Sequence, residues 1–297
     1  MTGTRKQFRY PDERLFFWVA FTPTALIVVV VILFPILFTL VLAFFSKNII
    51  AGPYTYTGFS NFIRLFKDPA FLLSFKNSLF FSFGSTIIAT VFGLLAALVL
   101  NEKFVGRGFL RSIVIFPYIV PPIVVIYIFR FLFNSRGFIN KILNNIGIIE
   151  EFIPWLGDSR TAMITSIFIA AWMWFPFAAV NILAGLQNIS YNLYEASELD
   201  GASVIQRFRF ITLPMAMPVI MIVVLIRLIW AIRNFDTIFL LTGGGPGEST
   251  YVLPILIYNA AFSAYQIGYA SAVATTLFLF LVIFALIYFK FSNTENF

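Results

Sequence analysis

The sequence predicts an all-α membrane protein that crosses the bilayer six times. Of its 297 residues, 60% are hydrophobic and only 11% are charged, whereas a soluble domain carries about a quarter charged residues. The mean hydropathy of +0.93 indicates that most side chains do not face water. A bilayer core about 30 Å thick needs roughly 20 apolar residues in a helix. Six stretches reach that length: 15–45, 78–100, 109–133, 161–186, 215–241 and 265–289.

The first stretch has the basic flank of a signal peptide, since Arg5, Lys6, Arg9 and Arg14 precede it. Its apolar run is much longer than the apolar region of a signal peptide, and it lacks a small-residue cleavage site. We therefore expect it to be retained as the first span. With the N-terminus in the cytoplasm, the inner segments hold 10 basic residues and the outer segments hold 7. This modest bias agrees with the positive-inside rule and predicts that both termini are cytoplasmic.

Proline interrupts several of the predicted spans. A proline removes a backbone hydrogen bond and bends or breaks its helix. For most of these prolines, ordinary kinking of a membrane helix is the simplest interpretation. The stretch FPYIVPP at 116–122 is dense enough in proline to predict an irregular segment inside the third span.

The missing residue types exclude several functions. Without Cys or His, the chain has no disulfides, no zinc site built on those ligands and no histidine-based catalysis. No G-x-x-x-x-G-K-[ST] motif is present, so the chain carries no P-loop. The net charge of +7 comes from basic residues scattered between apolar spans, which does not suit a nucleic-acid binder. We expect neither catalytic residues nor a metal site.

A charged stretch, EASELDGASVIQRFRFITLP at 195–214, separates the fourth and fifth spans. A first helix is predicted over 191–200, ended by Gly201, which tolerates positive φ. A capping-box pattern at Ser203 predicts the start of a second helix, and we expect Pro214 to stop that helix before the next span. The residues alone leave two roles open. In the first, the two helices lie passively on the membrane surface. In the second, they form a docking site for a cytoplasmic partner.

This stretch resembles the EAA loop in the permease subunits of binding-protein-dependent ABC importers. The family pattern is E-A-A, three residues, G, nine residues and I-x-L-P, and its spacing is intact here. Ser stands at the third position of the pattern and keeps that side chain small. In the family this loop is the coupling helix, which sits in a groove of the ATP-binding subunit. The resemblance implies that role for Glu195, Ala196, Ser197, Asp200, Gly201, Ile211, Leu213 and Pro214.

Three more stretches, 56–71, 234–250 and 257–274, are similar to sugar-permease subunits of the maltose and glycerol-3-phosphate importer type. The Gly-Gly-Pro segment is similar to the first of the two paired permeases in such systems. The resemblance implies the compact, six-span version of the type I ABC importer permease fold. It divides the chain into 1–72 (tail, first span and outer loop), 73–290 (transmembrane core, with the coupling loop at 188–214) and 291–297 (cytoplasmic tail).

The resemblance also implies partners and a location. The chain would act in the bilayer of a bacterial or archaeal plasma membrane, with a second permease, two ATP-binding subunits and an extracytoplasmic solute-binding protein. ATP and Mg²⁺ would bind to the ATP-binding subunits, and this chain would bind no cofactor. The cargo would be a sugar or oligosaccharide, although a polyol or glycerol phosphate also remains open.

Aromatic and polar residues of the fourth and fifth spans are candidates for a substrate path. Polar groups within a membrane are costly and often functional, and tryptophan offers a flat face to a sugar ring. The alternatives are interfacial aromatic belts and, for Asp236, a local ion pair with Arg233. Arg227 lies deeper, and we expect it to face protein or water. The candidates are Trp172, Trp174, Phe175, Asn181, Trp230, Asn234 and Asp236.

A secondary transporter driven by an ion gradient is the second class to consider. Such a protein normally carries buried acids or histidines within its spans as a proton or sodium site. Here Asp236 is the one acid placed near a span, and no internal repeat is visible. The sequence therefore favours a non-enzymatic subunit of an ATP-driven importer.

Overall fold

The computed structural model describes residues 13–48 and 51–292, which form a mostly helical membrane protein. Two helices meeting at 94°, Arg107–Ile119 and Pro122–Leu132, form a broken span. Together with the straight spans they confirm the predicted fold class. Residues 1–12, with three of the basic N-terminal residues, and residues 293–297 lie outside the described residues. The straight spans are Phe16–Leu42, Pro69–Asn101, Ala162–Gln187, Val204–Ile232 and Ile267–Lys290.

The elements follow one another along the chain with short connections. Three π-helical turns, Val28–Leu33, Phe208–Thr212 and Asn259–Ser263, join neighbouring α-helices. The strands are β1 (Phe45–Asn48) and β2 (Ala51–Tyr56). The α-helices are α1 (Glu13–Ile27), α2 (Phe34–Leu42), α3 (Ser60–Lys67), α4 (Pro69–Asn101), α5 (Arg107–Ile119), α6 (Pro122–Leu132), α7 (Phe138–Asn145), α8 (Ala162–Gln187), α9 (Tyr191–Leu199), α10 (Val204–Arg207), α11 (Leu213–Ile232), α12 (Asp236–Leu241), α13 (Leu253–Tyr258) and α14 (Ile267–Ser292).

The first span, formed by α1, α2 and the π-helical turn between them, stands apart from the other helices. The most apolar 18-residue window of this span has no buried residue. Its C-terminal part, α2, contacts α14. A helix that is apolar all round is normally buried in protein or lipid. The first span therefore offers its surface to lipid or to another subunit.

A β-hairpin follows the first span, which the all-α prediction did not include. β1 and β2 pair antiparallel, with Phe45 opposite Tyr56, and aromatic residues favour strands. The side-chain amide of Asn61 donates to the carbonyl oxygen of Phe45 at 3.0 Å. A Cβ at Gly268 would lie 1.8 Å from that same oxygen. The N-terminal turn of α14 therefore packs directly on the hairpin backbone.

The third span is broken where the prolines predict it. Val120 is extended, with ψ 133°, because the residue before a proline avoids the α region. Pro121 precedes Pro122 and is extended for the same reason. Pro122 then begins α6, where its missing N–H costs no intrahelical bond. The two halves diverge, since α5 packs mainly on α8 and α6 mainly on α12.

The fifth span corrects the expectation that Pro214 stops the second helix of the charged stretch. The helix runs without a break from Val204 to Ile232. A π-helical turn precedes Pro214, and in it the N–H of Leu213 donates to the carbonyl oxygen of Phe208, five residues back. This wider turn shifts the hydrogen-bond register, so a proline without an N–H is accommodated. The prediction failed because it assumed α-helical bonding through this segment.

The centre of the molecule is formed by α4, α8 and α11. Small residues allow close approach of helices in a membrane protein, and α4 buries six hydroxyl residues and Gly93. The hydroxyl of Ser82 donates to the carbonyl oxygen of Ser78 at 2.6 Å, so this polar group is satisfied within its own helix. Opposite Gly93, α8 presents Ala178 and Ala179, both fully buried.

We expect Gly93→Ala to destabilise the protein by about 1–3 kcal/mol, the usual cost of overpacking. The added methyl would lie 2.5 Å from Ala178 Cβ and 2.8 Å from Ala179 N, so the two backbones would have to separate. Thermal or denaturant unfolding of the purified complex measures the effect. Gly108→Ala is the matched control, because a Cβ there meets nothing within 4 Å. Equal stability of the two variants would contradict this packing.

Candidate functional site

The charged loop, residues 188–214, opens with α9. At the end of this helix the N–H of Gly201 donates to the carbonyl oxygen of Glu198 at 3.0 Å, and the N–H of Ala202 donates to that of Ser197 at 2.9 Å. This pair of bonds is a Schellman motif, which requires positive φ at the residue after the cap. Gly201 has φ +76°. The predicted end of the first helix is confirmed.

The second helix of the loop begins at the predicted capping box. The backbone N–H of Ser203 donates to Oε1 of Gln206 at 2.7 Å, and the N–H of Gln206 donates to Oγ of Ser203 at 3.4 Å. Two otherwise unsatisfied donors are bonded in this way. The Schellman motif ends with Ala202 and the capping box begins at Ser203, so backbone hydrogen bonds define the whole turn between the two helices.

Two side-chain contacts hold α9 against the helix that follows. Glu198 forms an ion pair with Arg207, and the hydroxyls of Tyr194 and Thr212 share a hydrogen bond of 3.0 Å. Glu198 is therefore engaged inside the loop. In the part of the chain that the structure describes, Glu195 has no basic partner. This carboxylate is free for a group on another molecule.

The predicted coupling residues divide into an exposed and a half-buried group. No atom lies within 4 Å of a Cβ placed on Gly201, so another backbone can approach this face closely. A hollow of about 300 Å³ lies between the two helices. The exposed residues are Glu195, Ala196, Asp200, Gly201 and Pro214, and the half-buried ones are Ser197, Ile211 and Leu213.

Apolar residues at the tip of the loop are also exposed. Leu199 is 91% exposed, Val204 71% and Ile205 77%. An exposed apolar patch that large marks an interaction site or a membrane-facing surface. Sequence analysis missed these three residues because they match no fixed position of the EAA pattern.

A cavity of about 90 Å³ lies between α4, α8 and the end of α11. Trp174 and Trp230 line it, with ring centroids 6.3 Å apart and planes tilted by 57°. Asn234, which lies just beyond α11, also lines the cavity. Three of the seven predicted substrate-path residues are thus brought together. The complete lining is Phe81, Ser85, Ala170, Trp174, Arg227, Trp230, Ala231 and Asn234.

The other four predicted residues lie elsewhere. Trp172 packs edge-on against Phe129 of α6, with centroids 4.9 Å apart. The amide of Asn181 donates to a carbonyl oxygen of its own helix at 2.7 Å. Asp236 is exposed at the start of α12, and Phe175 is half-buried on α8. Nothing in their surroundings ties these four to the cavity.

Arg227 is the charged group of this cavity. It is only 2% exposed, which confirms that it faces protein rather than lipid. Its guanidinium carbon lies 5.4 Å from the ring centroid of Trp174. The ion pair between Arg233 and Asp236, the alternative to a substrate role for Asp236, does not form among the described residues, and both side chains are exposed. The sequence places Arg227 inside the fifth span, but its contact with Trp174 of α8 depends on the packing of two separate helices.

The profile of one protein family, described as binding-protein-dependent transport system inner membrane component, matches residues 89–293. The chain belongs to this family. The permease is 35% identical over 269 residues to the trehalose/maltose transport system permease protein MalF of Thermococcus litoralis, covering 90% of each chain. It is 32% identical over 286 residues to the sulfoquinovosyl glycerol transport system permease protein SmoG of Agrobacterium fabrum, covering 96% of the permease and 92% of SmoG.

The permease also shares its fold with a chain from the crystal structure of a bacterial ABC transporter involved in the import of the acidic polysaccharide alginate. The TM-score is 0.84 at 24% sequence identity, covering 96% of the permease and 98% of that chain. Permeases of this family are multi-pass inner-membrane subunits of binding-protein-dependent ABC importers, and ATP hydrolysis resides on separate subunits. The absence of a P-loop from the sequence agrees with that division of labour.

Proposed function

We propose that the permease forms, with a second permease, the translocation path for a saccharide delivered by an extracytoplasmic binding protein. Relatives named for trehalose/maltose and for sulfoquinovosyl glycerol transport match it over at least 90% of its length. The three stretches similar to the maltose and glycerol-3-phosphate importer type support a saccharide as the cargo, and the Gly-Gly-Pro segment supports a place as the first permease of the pair. Two tryptophans facing one cavity supply the flat apolar surfaces that a sugar ring requires.

The charged loop is proposed as the surface that docks on an ATP-binding subunit. The observation that supports this proposal is the geometry of α9 and α10. The two helices are held together by side-chain contacts, and their exposed face of small residues at Gly201 lies near the unpaired carboxylate of Glu195. Glu195, Ala196, Ser197, Asp200 and Gly201 would meet the ATP-binding subunit directly. Basic groups on that subunit would complement the two exposed acids of this set. Ile211, Leu213 and Pro214 would join the docking helices to the fifth span.

The arrangement in the membrane follows from the same proposal. The charged loop and both termini would be cytoplasmic, as the distribution of basic residues favours. Residues 1–72 would form a tail, the first span and an outer loop, residues 73–290 the transmembrane core, and residues 291–297 a cytoplasmic tail. The first span, with its exposed surface, leaves room for contact with the second permease or lipid.

Reconstitution tests the proposal. The permease, its second permease, the ATP-binding subunits and the binding protein would be placed in proteoliposomes with radiolabelled saccharide. In vesicles whose ATP-binding subunits face the lumen, we expect uptake from the outside to require ATP in the lumen and to survive a protonophore. Uptake by the permease alone, driven by a proton or sodium gradient, would instead support a secondary transporter. The ligand of the binding protein identifies the saccharide.

A further inference from the structure

We infer that the cavity beside Trp174 binds an oxyanion on the cargo, so that the transported saccharide carries a carboxylate, sulfonate or phosphate group. This inference rests on the proposed function and narrows its substrate class. The observation behind it is a buried guanidinium, that of Arg227, that lines a cavity and lacks a counter-charge within the described chain.

The charge of Arg227 is not compensated inside the permease. Within residues 13–48 and 51–292, no carboxylate or carbonyl oxygen accepts a hydrogen bond from this guanidinium, and its Nε is buried without a partner. None of the eight residues that line the cavity is acidic. Charged groups inside a membrane protein are normally paired, and guanidinium is the side chain best suited to bind an oxyanion through two hydrogen bonds. The missing partner is therefore expected to be an anion.

The surroundings of Arg227 fit a charged sugar better than a free inorganic ion. Trp174 lies on one side of the guanidinium at 5.4 Å, and Trp230 is 40% exposed at the rim. Asn234 and Ser85 add polar groups to the lining. Indole faces pack on the C–H surface of a pyranose ring, whereas an inorganic anion gains nothing from them. A cavity of about 90 Å³ has the volume of roughly three water molecules, enough for the acid group while the ring lies against the tryptophans at the rim.

The position of Arg227 along α11 also suits a side chain that lines the proposed translocation path. It precedes the end of α11 at Ile232 by five residues, about 7.5 Å along the helix axis. It is therefore inside the span but near one end. Arg233, beyond the end of the same helix, is exposed and cannot serve the cavity in the same way.

Direct binding to the assembled importer tests the inference. Radiolabelled glucuronate and glucose would be compared as probes at equal ionic strength, in the wild type and in Arg227→Gln, Arg227→Lys and Arg233→Gln. We expect the wild type and Arg233→Gln to bind glucuronate at least about tenfold more tightly than glucose, as hydrogen bonds to a charged group imply. Arg227→Gln should lose this preference, and Arg227→Lys should keep part of it because it retains the charge.

Two results would overturn the inference. One is equal binding of glucuronate and glucose by the wild type, and the other is an unchanged preference in Arg227→Gln. If Arg227→Gln fails to assemble and the wild type shows no preference, the inference is also overturned, and Arg227 pairs with an acid of the second permease instead. ATP hydrolysis stimulated by loaded binding protein, measured on the same wild-type preparation, reports the proposed importer function separately. A glucuronate preference without that stimulation would count against the importer function alone.

Discussion

Glu195→Lys should reduce ATP-driven uptake by about 30-fold or more while leaving the permease folded and assembled in the membrane. The side chain is exposed and has no basic partner among the described residues, so its replacement disturbs no contact within the loop. Removing one partner of a buried charge pair at a protein interface costs about 2–5 kcal/mol, and reversing the charge adds repulsion to that loss. Uptake by reconstituted complexes and co-purification with the ATP-binding subunit are the measurements.

Glu151→Lys is the matched control for this charge reversal, since Glu151 is also exposed but lies between α7 and α8. Its uptake should equal that of the wild type.

Gly201→Asp should give the same loss of uptake as Glu195→Lys, but for a different reason. It places a charged side chain on the open face, and it puts a residue with a Cβ at φ +76°, a conformation that costs less for glycine than for any other residue. Normal uptake by Glu195→Lys and Gly201→Asp would exclude the coupling role of the loop.

The double variant Trp174→Ala/Trp230→Ala should lower the rate of saccharide uptake by about tenfold. Each aromatic face contributes about 0.5–1.5 kcal/mol beyond the area it buries, and the two faces act on one ligand. ATP hydrolysis stimulated by the loaded binding protein should persist, because the charged loop is unaltered. The ratio of saccharide transported to ATP hydrolysed is the quantity to measure.

Conservative variants separate contact with the cargo from packing. Trp174→Phe/Trp230→Phe keeps two aromatic faces at the cavity, so uptake should remain near the wild-type rate. Trp172→Ala removes the ring that packs on Phe129 and should lower stability without changing the ratio of transport to hydrolysis. If Trp174→Ala/Trp230→Ala transports at the wild-type ratio, the two tryptophans have only a structural role.

Local chemistry in the sequence predicted local structure well. Six long apolar stretches predicted the spans, Gly201 predicted the end of α9, and the capping-box pattern at Ser203 predicted the start of α10. The break near Pro121 was predictable because two adjacent prolines exclude the helical conformation of the residues before them. Each of these features depends on residues close together in the chain.

Features that depend on distant contacts were missed. The hairpin at β1 and β2 is held by Asn61 and by the start of α14, which a short window cannot show. Pro214 was misread because a π-helical turn cannot be distinguished by propensity from an ordinary helical turn. Arg227 was visible as a lone charge, but its cavity exists only where α4, α8 and α11 meet. Which of the predicted aromatic residues face one another depends on how separate helices pack.

The uninterrupted helix from Val204 to Ile232 has a geometric consequence. Its first residue belongs to the exposed tip of the charged loop and Trp230 lies near its far end, so one continuous helix about 40 Å long joins the two. A tilt of only about 5° at the first end would swing the indole by roughly 3–4 Å, comparable with the spacing between packed side chains.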